Sequence, residues 1–342
     1  MKKILIIGAG AMGSAFAIPC LENKNEVILV GTYLEDTLIE KIKTNKNFHP
    51  ALNINLPDTL VIEKFEKLNS ILSEKIDIIV AGVSSIGIEW FVSQISKNYK
   101  NNLPIILLTK GLAIVEDEIT TLSDKIKILL KQDGFNKVNI SAIKGPCLAA
   151  GLANKMRTGT VIANPDIKEA QNLKKIIATQ YYSTEISNDL NGVELSGAIK
   201  NIYSMLIGAS EGLSNSKAPI EIQSKYYLNT SASLIHRSIS EMVEFVSHYG
   251  GNANTVYGLA GLGDLYVSAI GGRNSLMGKY LGKGYFYKDA KQKFMKDITV
   301  EGAQLALEIG PKILRDLNPK HFPLMFSMLA TVCDNKKLEI NW

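Results

Sequence analysis

The sequence predicts an α/β domain built on a doubly wound sheet over residues 1–190, followed by an all-α domain over 191–342. Three observations carry this. Up to about residue 190, short β-branched runs alternate with amphipathic helical patterns. The first of those runs opens into a glycine-rich turn and then a helix. From Gly192 onward almost every segment has helical periodicity. At 342 residues the chain also exceeds what one core usually organises, so two domains are the expectation.

Taken in order, Lys3–Ile7 is a buried strand by its run of Ile and Leu. It leads into Gly8-Ala9-Gly10-Ala11-Met12-Gly13 and the helical Ser14-Ala15-Phe16-Ala17, with a second strand at Glu26–Val30. This is GxGxxG between a strand and a helix, the Rossmann-type dinucleotide signature. Gly8 makes the tight turn, Gly10 lets a pyrophosphate approach the backbone, and Gly13 lets the helix pack close on the strand. The helix N-terminus offers N–H groups and a positive dipole end to phosphates. The second strand runs out as Val30-Gly31-Thr32-Tyr33, with Glu35 and Asp36 arriving late. It shows neither the acidic residue expected for NAD nor the arginine expected for NADP, so the choice between NAD and NADP stays open.

Further strands read at Asp77–Val83, Pro104–Leu108, Val138–Ile143, Thr160–Ala163 and Tyr182–Ile186. Ser84-Ser85 are N-cap candidates for a helix carrying Trp90 and Phe91. Lys110 follows the Pro104–Leu108 strand, at the strand end where doubly wound sheets bind ligands. Beyond Gly192 the pattern predicts a helix with Leu195, Ala198, Ile199, Ile202 and Leu206 on one side and Ser196, Lys200 and Ser204 along another. A polar break around Ser214–Pro219, a helix about Ser231–His248 and another over Tyr257–Ile270 follow. Two more helices start at Thr299 and cover Phe322–Cys333, with Pro323 in the first turn of the latter.

Composition narrows the function. Charged residues make up 21% and the net charge is +5, with the lysines scattered, which suits a small anionic ligand and argues against nucleic acid. Cys20, Cys147 and Cys333 lie far apart, which predicts a reduced, cytoplasmic protein. His49, His236, His248 and His321 show no metal spacing, so no metal is expected and each histidine reads as structural. No stretch is long and apolar enough to insert in a bilayer. The oligomeric state is not legible, with a homodimer the common default.

The motifs then combine. GAGAMG at 8–13, LTKGL at 108–112, KGPCLA at 144–149, NGVELSGAIKNI at 191–202, GLAGLGDL at 258–265, GGRN at 271–274 and VEGA at 300–303 occur in that order. The chain resembles the NAD(P)-dependent glycerol-3-phosphate dehydrogenases over essentially its whole length. That resemblance implies reversible hydride transfer between NAD(P)H and dihydroxyacetone phosphate, and with it a role in phospholipid head-group synthesis or redox balance. It also implies the site. Lys200 falls on the catalytic lysine, Lys110 on a lysine that contacts substrate and cofactor, and Asp264 on the aspartate beside them. Arg273 and Asn274 match the pair that grips the substrate phosphate, joined by Gly145, Cys147, Asn201, Ser268 and Gly272. Gly8, Gly10, Ala11, Met12, Gly13, Ala149 and Glu301 fall on cofactor positions, and Arg273 lies near the cofactor as well.

The chemistry can be argued without the resemblance. Reducing a ketone builds negative charge on oxygen, so a positioned cation or proton donor is required. A lysine serves if its pKa falls from about 10.4 towards neutrality; burial and a second ammonium both lower it, while a carboxylate opposes the shift and fixes the direction. Arginine suits a phosphate because its planar fork donates two parallel hydrogen bonds. Two departures from the family pattern stand out, Lys144 in place of serine and Gly151 in place of glutamate. Both move towards positive charge, which raises a larger or more anionic polyol phosphate as a substrate. The alternatives are a reductase of another phosphorylated ketose or ketoacid, and a non-catalytic NAD(P)-binding sensor. Lys110, Lys200, Asp264, Arg273 and Asn274 together argue against a sensor, which needs no proton donor.

Overall fold

In the computed structural model, which describes residues 1–214 and 220–340, the apolar runs of the first half pair into an eight-stranded sheet. Strand β1 (Lys3–Ile7) is followed by helix α1 (Ala11–Glu22), β2 (Glu26–Val30), α2 (Asp36–Thr44), β3 (Val61–Glu63), β4 (Ile78–Ala81), α3 (Ile88–Ile95), β5 (Ile105–Leu107) and α4 (Leu122–Gln132). Then come β6 (Ile140–Lys144), β7 (Thr158–Ala163), α5 (Ile167–Ile177) and β8 (Tyr182–Ser187). The spatial order is β8-β7-β6-β5-β4-β1-β2-β3, parallel throughout except where β7 runs against β6. The centre is fully apolar because helices cover both faces of a parallel sheet. Ile4 to Ile7 and Ile105 to Leu107 are completely buried.

The second half is helical. It comprises α6 (Leu190–Leu213), α7 (Ile220–His248), α8 (Asp264–Gly271), α9 (Arg273–Gly282), α10 (Tyr287–Phe294), α11 (Glu301–Asp316) and α12 (Pro323–Cys333). Helix α6 is the axis of this part. Nearly every residue from Gly192 to Ser210 is buried, including the side on which Ser196, Lys200 and Ser204 lie. A helix buried all round needs partners for its polar groups. Tyr203 Oη donates to Glu241 Oε2 at 3.0 Å, and Glu241 also accepts from Leu324 N and Met325 N at the start of α12. Burial pushes the Glu241 carboxyl above its usual range.

By contact the chain divides into two units, 1–110 with 121–190, and 111–120 with the rest from 191. The ten-residue excursion is a hairpin, Leu112–Val115 paired with Glu118–Thr121. Its turn residues Glu116 and Asp117 both adopt positive φ, at 51° and 60°. Such a turn normally announces itself as Asn-Gly or Asp-Gly, so a Glu-Asp turn hides the hairpin from sequence reading. Asp117 then accepts from Arg315 of α11 through both carboxylate oxygens, each at 2.8 Å.

Several boundaries differ from expectation. Helix α7 begins at Ile220 rather than near Ser231, because the Asn, Thr and Ser residues at 229–233 weaken the local helical signal without ending the helix. Of the expected polar break, residues 215–219 lie outside the described residues. The expected helix over 257–270 is three pieces: a 3-10 turn to Tyr257, a π turn over Leu259–Gly263, and α8. The glycines at 258, 261 and 263 break the regular ladder there. Ser84 occupies the N-cap of a 3-10 turn ahead of α3, with no side-chain capping bond.

Candidate active site

The glycine turn is built as the spacing requires. Gly8 has φ of 114°, and a Cβ there would lie 2.5 Å from Gly82 O. A Cβ on Gly13 would lie 3.3 Å from the Gly8 carbonyl carbon and closer still to its oxygen. At Gly10 the backbone is open, the nearest atom to a built Cβ being Glu35 Oε1 at 3.7 Å. Two crowded glycines and one open one at the start of a 12-residue helix are the cradle a dinucleotide pyrophosphate fits. Ala11 and Met12 form the first helical turn, where N–H groups lack intrahelical partners. His49 supports the turn from beneath. Leu52 N donates to its Nδ1 at 3.3 Å, which leaves Nε2 to donate to Ala9 O at 3.1 Å.

Lys110 follows β5 and is half-buried. The loop that carries it is held by two side chains. Thr109 Oγ1 donates to Val83 O at 2.7 Å, and Lys144 Nζ donates to Thr109 O at 2.7 Å and Leu107 O at 3.2 Å. Lys144 is 2% exposed. Lys144 thus straps the ends of β5 and β6 together. Replacing Lys144 by methionine removes those charged hydrogen bonds, and denaturant titration should show a loss of about 2–3 kcal/mol. Gly145 follows with φ of 138°, against Thr160. Cys147 is partly buried, Ala149 opens a five-residue helix, and a Cβ on Gly151 would meet only Met156 Cβ, at 4.0 Å.

In the helical unit the expected residues form two bonded sets that start from neighbouring positions on α6. Lys200 on α6, 3% exposed, donates to Asp264 Oδ1 at 2.9 Å and to Ser268 Oγ, both on α8. The π turn delivers Asp264 to that position at the first residue of α8. One residue along, Asn201 Nδ2 donates to Glu301 Oε2 at 3.3 Å, and its Oδ1 accepts from Asn274 Nδ2 at 2.9 Å. Asn274 Oδ1 in turn accepts from Gly302 N at 2.9 Å. Arg273 donates to Glu301 Oε1 at 3.2 Å, with its side chain 56% exposed. Gly272 is the N-cap of α9 and so sets where Arg273 and Asn274 begin. Asn274 is therefore a buried link, whereas Arg273 is the exposed cation of the second set.

Sequence reasoning named these residues without their order of contact. It did not find the Glu35 link to the glycine turn, the His49 support or the anchoring of α12 by Glu241. Each joins residues distant in sequence through one side chain, and no local pattern marks such a pair.

A doubly wound dinucleotide-binding sheet, followed by a helical unit holding a buried lysine–aspartate pair, defines a nicotinamide-linked oxidoreductase. Family profiles place it further: NAD-dependent glycerol-3-phosphate dehydrogenase N-terminus matches residues 3–170, and the C-terminus of the same family matches 189–340. The chain belongs to the NAD-dependent glycerol-3-phosphate dehydrogenase family. It is 32% identical over 320 residues to an NADP(+)-dependent glycerol-3-phosphate dehydrogenase of Archaeoglobus fulgidus, covering 92% of this chain and 91% of that one. It is 30% identical over 342 residues to a glycerol-3-phosphate dehydrogenase [NAD(P)+] of Fusobacterium nucleatum, covering 98% and 94%. Among solved structures, the glycerol-3-phosphate dehydrogenase of Coxiella burnetii matches with a TM-score of 0.81 at 26% identity, covering 98% and 96%. Among the described residues no helix is long and apolar enough to cross a membrane.

Proposed function

We propose that this protein interconverts dihydroxyacetone phosphate and sn-glycerol 3-phosphate, with NAD(P)H as redox partner. The observation that carries the assignment is the arrangement of the helical unit, in which a buried ammonium held by Asp264 sits next along α6 to Asn201, whose side chain shares Glu301 with an exposed guanidinium. As the carbonyl is reduced, negative charge grows on its oxygen. Lys200 stabilises that charge and delivers the proton. Asp264 and Ser268 hold the ammonium in one direction, so little reorganisation is needed as the charge develops. Arg273 grips the phosphate, and that remote binding energy orients the carbonyl. Lys110 adds a second cation for the substrate. The nicotinamide, when bound, supplies the hydride.

Loss of NADH or NADPH absorbance on adding dihydroxyacetone phosphate tests the assignment, and binding without consumption would overturn it in favour of a sensor. Longer ketose phosphates in the same assay test substrate size. With Lys144 turned inward, the three-carbon substrate should be preferred, and faster turnover of a longer one would reject that. Changing Arg273 to leucine should raise KM for dihydroxyacetone phosphate by about tenfold to a hundredfold, the worth of a charged hydrogen bond. Inhibition by free inorganic phosphate should weaken in parallel. We also place the protein in the cytoplasm, in keeping with three cysteines that form no disulfide among the described residues.

A further inference from the structure

The end of β2 carries a carboxylate that the sequence places too late but the fold brings back. Glu35 lies five residues beyond Val30, at the N-cap of α2. Its Oε2 accepts from Thr32 N at 2.7 Å and from Ala9 N at 3.0 Å. The second bond reaches across to the glycine turn, and Oε1 is the atom that faces Gly10. Two backbone N–H donors hold the group as a half-buried carboxylate at the place where the ribose next to the adenine meets a doubly wound sheet.

The surroundings are short of the cations that a ribose phosphate needs. The first arginine in the chain is Arg157. It directly precedes β7, five strands from β2 in the sheet, about 24 Å away at the usual spacing of about 4.8 Å. On the elements flanking the strand end, Lys43 pairs with Glu63 and Lys64 with Glu40. Asp36 is the next residue after Glu35, and its Oδ1 accepts from Phe65 N at 3.4 Å.

We infer that Glu35 makes this enzyme select NADH over NADPH. A 2′-hydroxyl can donate to a fixed carboxylate, whereas a 2′-phosphate placed there meets like charge with no arginine of its own unit near enough to offset it. The inference rests on the dehydrogenase reading and narrows it to one cofactor.

Isothermal titration of the full chain with NADH and with NADPH, without substrate, tests it. NADH should bind at least about tenfold more tightly. In Glu35→Gln the amide oxygen can still accept from Ala9 N and Thr32 N, so the turn stays intact while the charge is lost. The preference should then shrink at least about fivefold, chiefly through tighter NADPH binding. A second variant, Glu35→Ser, should shrink it as well. NADPH binding as tightly as NADH in the native chain overturns the inference alone, as does an unchanged ratio in both variants. Binding of neither dinucleotide overturns the dehydrogenase reading and this inference with it.

Discussion

Replacing Lys200 by alanine should lower kcat/KM for dihydroxyacetone phosphate at least about a hundredfold, the usual worth of a positioned acid. It should also destabilise the helical unit. Asp264 is 3% exposed, and without the ammonium its carboxylate is left buried without its cation. Breaking a buried pair from one side costs about 3–5 kcal/mol. The two effects can be separated by adding Asp264→Asn. The double variant should regain much of the lost stability, because no unpaired charge remains, and should stay inactive. Denaturant titration and steady-state kinetics on the same preparations give both readouts. Activity restored with stability would show that Lys200 is needed only to neutralise Asp264.

The second large effect turns on backbone packing rather than on charge. Helices α6 and α9 cross with their backbones in contact. A Cβ on Gly278 would lie 2.7 Å from the Met205 carbonyl carbon and closer still to its oxygen, and one on Gly208 would lie 2.6 Å from Ser275 Cα. Backbone cannot give way as a flexible side chain can. Gly278→Ala must therefore push α9 off α6, at a cost of about 3 kcal/mol or more. Catalysis should suffer too, because α6 carries Lys200 and Asn201 while α9 carries Arg273 and Asn274. Gly271→Ala is the control. Nothing lies within 4 Å of its Cβ and its φ is not positive, so its melting temperature should stay the same or rise slightly. Equal losses at 278 and 271 would mean that the helix crossing is not what requires glycine at 278.

The two halves of the chain were legible to different degrees. In the sheet, β1, β2, β4 and β5 announce themselves because a strand buried on both faces must be nearly all β-branched or Leu. β3 is only three residues and carries Glu63, so it has no such signature. In the helical half, periodicity marks α6 and α11 but cannot say that α6 is buried on all sides. The Ser196 and Lys200 positions read as a polar face until packing shows what surrounds them.

What the amino-acid order determined alone was chemistry tied to neighbours in the chain. The glycine turn, the strand-to-helix alternation and the lysine-asparagine pair at 200–201 all rest on short-range sterics and hydrogen bonding, which act between residues a few positions apart. What the tertiary structure decided was the long-range pairing of buried charge. Lys144 reads in the sequence as one more lysine after a strand and in the fold ties two strand ends together; Glu35 could have been a solvated helix cap and instead reaches the glycine turn. The cost of burying a charge is settled by the atoms that finally surround it, and those come from strands and helices that meet only when the chain has folded.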